Sequence, residues 1–276
     1  MKKILFLFAM AVGNMAFAQT LTIPQPSTTQ TIKQNFGLSS IELSYSRPNV
    51  KGRKVVGELV PFNNVWRTGA NQATTLTFGE EVTIGGKKIP AGKYGFVSIP
   101  NKDNWTFIVT KQLDVTSPAA YKVENDVVRV DVKPTSLKDK VETFTMQFDN
   151  VKANTCDLSI KWENTALILP ISTDVETKVM ADINNIMNKD NLPYFSAAMY
   201  YMESGKDLNQ ALTWLNKAVD QNPNAFWIQH QRANALSKLG KKKEAIAAAN
   251  KSMELATAAK NSDYVKLNSD LIKTLQ

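Results

Sequence analysis

The hydrophobic period of this chain changes once, near residue 172, and that change dictates how the chain can be organised. From about residue 30 to 171 apolar side chains recur at every second position. Ile41, Leu43 and Tyr45 alternate with Glu42 and Ser44, and Phe144, Met146 and Phe148 alternate with Thr145 and Gln147. Cys156, Leu158, Ile160 and Trp162 follow the same rule, and Leu167, Leu169 and Ile171 repeat it. A period of two means strands with one buried and one wet face, hence antiparallel sheets. Turn signals divide them at Gly85-Gly86, Pro90-Ala91-Gly92 and Asn101-Lys102-Asp103-Asn104. The pattern predicts roughly eight to ten short strands in a β-sandwich. A jelly roll or a closed barrel would give the same alternation.

Beyond Asp174 the period is 3.6. Thr173-Asp174-Val175-Glu176 fits a capping box, and Val175, Val179, Ile183, Ile186 and Met187 then line one face, which predicts a helix over 174–189. Further helices are expected at about 192–204, 207–221, 225–239, 242–257 and 261–275, with breaks at Gly205, Asn222-Pro223, Gly240 and Asn261-Ser262. Ala198, Tyr201 and Gly205 precede Ala211, Leu215 and Ala218. In the next unit Ala233, Leu236 and Gly240 precede Ala245 and Ala249. Small residues let antiparallel helices approach closely, and this arrangement resembles the tetratricopeptide repeat. The first repeat needs an extra turn residue and the second lacks a closing Pro. The expected fold class is therefore α+β in two domains: an antiparallel β-sandwich over 19–172 and a tetratricopeptide-like α-hairpin stack over 174–276.

The first 18 residues read as an export signal. Lys2 and Lys3 precede the apolar run Ile4 to Val12, and Ala16-Phe17-Ala18 offers a cleavage site that would leave Gln19 first. No other stretch is apolar enough to span a bilayer, so the expectation is an exported protein of the periplasm or extracellular space, with no transmembrane segment after cleavage. The whole chain has a formal charge of +8; losing two lysines with the signal leaves +6. The surplus is scattered over both halves, which does not fit a nucleic-acid binder.

One Cys and one His exclude a disulfide framework and any metal centre built from Cys or His clusters. No nucleophile elbow, Walker loop, Rossmann fingerprint or zinc-protease motif is present, so no catalytic residue, cofactor or metal site is expected. His230 reads as a surface or packing residue, and Cys156 as a small buried hydrophobe. The stretch that stands apart is Arg47 to Asn71. Three of the chain's five Arg lie in it, against 28 Lys elsewhere and within. In a chain that otherwise chooses Lys, Arg marks positions where the planar fork matters, with carboxylate, phosphate or sulfate as its partner. Arg47, Lys51, Arg53, Trp66, Arg67 and Asn71 are the candidate ligand-binding residues, with Trp66 supplying a stacking face. The competing expectation is a clamp, in which the guanidiniums pair with Glu58, Asp131 or Glu142 and lock the loop down; it is strongest for Arg53.

The stretch 45–78, YSRPNVKGRKVVGELVPFNNVWRTGANQATTLTF, together with IPAGKYGFVSIP (89–100), DVVRVDV (126–132) and Trp162-Glu163, resembles the exported bacterial family called domain of unknown function 2911. The resemblance covers about residues 25–171. It implies an exported β-rich domain, often followed by helical repeats, and supplies no catalytic residues. Two function classes follow. The first is a non-enzymatic envelope protein that binds a protein partner through the repeat groove. The second is an envelope enzyme or small-ligand binder that takes an anionic glycan or peptide through Arg47–Asn71. The missing nucleophile, metal set and cofactor loop favour the first.

Overall fold

The computed structural model describes residues 24–186 and 193–276. The export signal, its cleavage site, Met187 and the start of the helix expected from 192 lie outside the described residues. The chain forms two compact units, the first ending at Val175 and the second running Glu176–Gln276.

The first unit carries two antiparallel sheets. Strands β1 (Thr28–Phe36), β2 (Ser39–Arg47), β3 (Thr75–Phe78), β6 (Gly92–Ile99), β7 (Trp105–Thr110) and β8 (Asp126–Val132) form the larger, in the order β1-β2-β3-β6-β7-β8. The smaller has the order β5-β4-β10-β9, built from β4 (Val82–Ile84), β5 (Lys87–Ile89), β9 (Thr135–Asp149) and β10 (Thr155–Ser172). Inward residues of both, among them Leu43, Leu76, Phe96 and Phe107 with Met146, Leu158, Ile160 and Leu169, make one core. The tie across that core is the Tyr45 hydroxyl, which accepts the Met146 N–H at 2.8 Å and lies 2.9 Å from the Met146 carbonyl. Burial raises the Tyr45 pKa above the ordinary phenol value.

The last two strands are long, which differs from the expectation of short ones. β10 runs 18 residues because a bulge lets it change parity without ending. Cys156, Leu158, Ile160 and Trp162 are buried at even positions, whereas Leu167, Leu169 and Ile171 are buried at odd ones. An extra residue must be absorbed between the two sets. The register with β9 shifts on both sides of Glu163, which has a φ of 51°.

The second unit holds helices α1 (Val175–Ile186), α2 (Tyr194–Glu203), α3 (Leu208–Gln221), α4 (Phe226–Lys238), α5 (Lys242–Ala258) and α6 (Ser262–Leu275). The expected capping box does not form. The Thr173 N–H is bonded to Asn154 O and its hydroxyl donates to Glu81 O, while Glu176 pairs with Lys206. Ala198, Ala211, Ala218, Ala233, Ala245 and Ala249 are all essentially inaccessible, as close helix contacts require. α2 and α4 each end in a Schellman turn. Gly205 and Gly240 take positive φ, and the next residue's N–H returns to Tyr201 O and Leu236 O respectively, at 2.9 Å. α5 ends the same way with Lys260 (φ 56°) in the glycine position, and Asn261 N–H reaches Ala256 O at 2.8 Å. No helix among the described residues is long and apolar enough to cross a membrane.

Candidate functional site

After β2 the chain leaves the larger sheet and runs beside β9. Asn49 bridges Thr143, Val50 N–H bonds Glu142 O at 2.8 Å, and Phe144 N–H bonds Pro48 O at 2.8 Å. Lys51 (φ 49°) and Gly52 (φ 72°) then reverse it. Two carboxylates fasten the return: Glu142 Oε1 accepts Lys51 N–H at 2.8 Å, and Glu163 Oε2, on the bulge, accepts Val55 N–H at 3.1 Å. The loop rejoins the larger sheet at Trp66, whose backbone exchanges hydrogen bonds with Ser98 at 2.7 and 2.9 Å.

The next turn is strained and well supported. Thr68 has a φ of 53°, which is rare for a β-branched residue. Its hydroxyl donates to Ser98 Oγ at 2.9 Å, its carbonyl accepts from Thr74 Oγ1 at 2.8 Å, and all three residues are buried. A Cβ at Gly69 would lie 2.9 Å from Thr74 Oγ1 and 3.1 Å from Ser46 O, so the close approach of the backbone there requires glycine. Asn71 (φ 54°) donates its amide to Ser27 O at 2.8 Å.

These supports shape a cavity of about 460 Å³ lined by Arg53, Leu59, Trp66, Arg67, Asn71 and Trp162, among others. That volume lies within the range of small-molecule sites. The Trp66 and Trp162 rings are stacked, with centroids 5.7 Å apart and planes 14° from parallel. Phe144 and Trp105 meet the Trp66 ring edge-on at 5.1 and 6.1 Å. Trp66 Nε1 donates to Gly69 O at 3.1 Å, and Trp162 Nε1 to Glu142 O at 3.3 Å.

The structure brings four of the six candidates, Arg53, Trp66, Arg67 and Asn71, onto this cavity; Arg47 and Lys51 do not line it. Arg47 spans between strands, with Nε donating to Phe144 O (3.1 Å) and Nη2 to Thr145 Oγ1 (2.9 Å). Arg53 donates Nε to Val50 O (3.0 Å) and Nη2 to Asn49 O (2.8 Å), and Arg67 donates Nη1 to Asn71 O (2.7 Å). The expected carboxylate partners are engaged elsewhere. Glu58 pairs with Lys54 at 3.3 Å, Asp131 accepts from Thr106 Oγ1 at 2.6 Å, and Glu142 takes the Lys51 amide. The loop turns so tightly that carbonyls three and four residues away reach these guanidiniums before any acid does. Arg53 Nη1 and Arg67 Nε and Nη2 have no partner among the described residues.

The indole of Trp162 was not among the residues singled out as a site. Its one signal is a large aromatic at the parity change of β10. The single Cys and the single His do not line this cavity and are buried. The Cys156 thiol is buried and pushed up to about 11, by desolvation first and the Asp157 charge second. His230 is buried and bonds Asn268 Oδ1 through Nδ1 at 2.8 Å. Asn268 Nδ2 donates to Tyr264 O (2.6 Å) and to Ser252 Oγ (2.8 Å), and Ser252 donates to Phe226 O (2.7 Å). Carbonyls only accept, so the chain runs one way and His230 Nδ1 carries the hydrogen. Among the described residues no group of three or more His, Cys, Asp and Glu could hold a metal ion.

The two-sheet unit, with a cavity that combines indoles and guanidiniums, is the part of the chain that comparison with known families identifies. The family described as Protein of unknown function (DUF2911) matches residues 27–171, and the chain belongs to it. No curated protein and no solved structure matches the chain.

Proposed function

We propose that this chain is an exported binding protein whose N-terminal unit, a β-sandwich, captures a small ligand carrying a carboxylate, phosphate or sulfate. One observation carries the reading: Arg53 and Arg67 face the same cavity, are held by backbone carbonyls of their own loop, and meet no carboxylate among the described residues. Fixed guanidiniums with spare donors suit an anion met in bidentate fashion. The indoles of Trp66 and Trp162 add an apolar wall for the rest of the ligand, such as a sugar ring. Strain concentrated at Thr68 and Asn71 fits a pre-organised binding loop. The described residues that line the cavity include no carboxylate, imidazole, thiol or amine that could transfer a proton, and this favours binding over catalysis.

The test is an NMR titration of the indole N–H signals with sulfate, phosphate and galacturonate. We expect Trp66 and Trp162 to shift with at least one anion, while Trp214 and Trp227, in the helical unit, stay still. No shift at Trp66 and Trp162 with any of them, or equal shifts at all four, would contradict the reading.

The helical unit supports a second role, binding a protein partner. We read its three Schellman-closed hairpins as a tetratricopeptide-like stack. A groove of about 520 Å³ between α2 and α4, lined by Met199, Met202, Glu203, Gln231, Asn234 and Lys238, among others, offers amide and charged groups beside thioethers. Affinity capture with and without 174–276 tests it: a partner retained only by the full chain supports the role, and equal recovery with both contradicts it.

A further inference from the structure

A second cavity, of about 390 Å³, adjoins the first. The two share Leu59, Trp66 and Arg67, so they meet at one indole, one guanidinium and one leucine. Their chemistry differs. The first holds both Arg53 and Arg67, whereas the second lacks Arg53 and sets Leu59, Pro61, Val65 and Pro118 beside the neutral Asn64, Thr116 and Ser117. Val65 in turn packs on the small apolar cluster of Val97, Ile108 and Val115. The Leu59 side chain is 40% exposed at the shared boundary, although Val60 beside it is buried. Its backbone is held, with Leu59 N–H on Lys54 O at 3.3 Å and Val60 N–H on Val55 O at 2.9 Å. The apolar wall is therefore fixed in advance, and its ordering cost is not left to the ligand.

We infer that the ligand is an amphipathic organic anion, with its anionic head on Arg53 and Arg67 and a short aliphatic tail passing Leu59 into the second cavity. This rests on the anion-binding reading proposed above and adds the class of ligand. A small inorganic anion would occupy only the first cavity and leave Leu59 in water. A tail covers Leu59 and fills the space between the two prolines, where each buried methylene strengthens binding roughly fourfold.

Calorimetric titration of the whole mature chain with acetate, butanoate, pentanoate and hexanoate reads this directly. The affinity should rise about fourfold per added methylene, so that hexanoate binds on the order of a hundredfold tighter than acetate. In Leu59→Gln, an exposed position that the core does not need, the gain in affinity with chain length should shrink. Hexanol, a tail without the charge, should bind far more weakly than hexanoate. If sulfate, phosphate or acetate binds but affinity is flat with chain length, the tail inference falls and the anion site stands. Hexanol binding as tightly as hexanoate would overturn the inference in favour of a purely apolar site. Should no anion of any length bind, both fall together.

Discussion

Trp66 on the long loop and Trp162 on β10 lie stacked, centroids 5.7 Å apart, and this pair adds an aromatic contact to the backbone and carboxylate–amide bonds that join the loop to the smaller sheet. Trp162 stands next to the bulge at Glu163, whose carboxylate holds the Val55 amide. The bulge thus serves the site twice, through the indole before it and through its own side chain. The arginines of this stretch bond carbonyls of their own loop, with one exception.

That exception is Arg47. Its two donors reach β9 at Phe144 O and Thr145 Oγ1, a geometry a lysine cannot reproduce. Arg47→Lys should lower the stability of the N-terminal unit by about 1–2 kcal/mol, the scale of lost part-buried hydrogen bonds. Arg53→Lys, whose contacts are within its own turn, should stay within about 0.5 kcal/mol of wild type. Urea unfolding followed by near-UV circular dichroism separates the two; equal losses would show that Arg53 also fastens the fold.

Helix packing makes the second prediction. Ala218 and Ala245 are 1% and 0% exposed, so leucine at either should overpack a helix contact and cost ~1–3 kcal/mol. The exposed Lys241, Lys242 and Lys243 should accept Gln with almost no change in Tm. Thermal melts monitored at 222 nm check this, and equal tolerance at all five positions would contradict the packing described.

The period change was legible in the sequence because it is a property of burial: one face per sheet, one stripe per helix. So were the alanines at helix contacts and the glycines at two of the turns. What could not be read depends on contacts distant in sequence. The single-strand nature of β10 rests on a bulge that hides as two unrelated alternations. The capping box failed because Asn154 and Glu81, both far from Thr173 in sequence, take its polar groups. Four of the residues lining the cavity are the ones that arginine scarcity and an adjacent Trp single out, whereas Trp162 and Leu59 join the lining only through folding. The acids expected to meet the arginines were chosen by charge alone, and the tight turn offered nearer acceptors.

Asn268 holds α4, α5 and α6 in one network through His230, Ser252 and Tyr264. Asn268→Ala removes all three bonds and leaves the His230 Nδ1–H buried without its acceptor. The helical unit should lose roughly 1–3 kcal/mol. Denaturant unfolding of the variant measures this, and a loss below about 0.5 kcal/mol would mean that water replaces the amide without cost.

Cys156 gives a pH dependence with a definite sign. Burial pushes its thiol from the ordinary value of 9.0 up to about 11 in the folded chain. The contribution is complete below pH 9 and is lost as pH rises from 9 towards 11, because only the unfolded chain ionises there. Tyr121, pushed up to about 12 by burial and by Asp126, acts in the same direction at higher pH. Stability should therefore fall steadily above pH 9, and the difference between wild type and Cys156→Ala should narrow between pH 9 and 11. A constant difference across that range would contradict a buried, protonated thiol.

On the function proposed above, Arg53 and Arg67 are held ready for an anion rather than spent on the fold. Melting Arg53→Gln, Arg67→Gln and wild type, each with and without a saturating carboxylate or phosphate, tests it most directly. Tm values of the variants without anion should match or slightly exceed wild type, since two positive charges on one cavity repel. The stabilisation by anion, RT ln(1 + [L]/Kd), should be present in wild type and lost in both variants. Large destabilisation of both variants without anion, together with an undiminished response to anion, would contradict it.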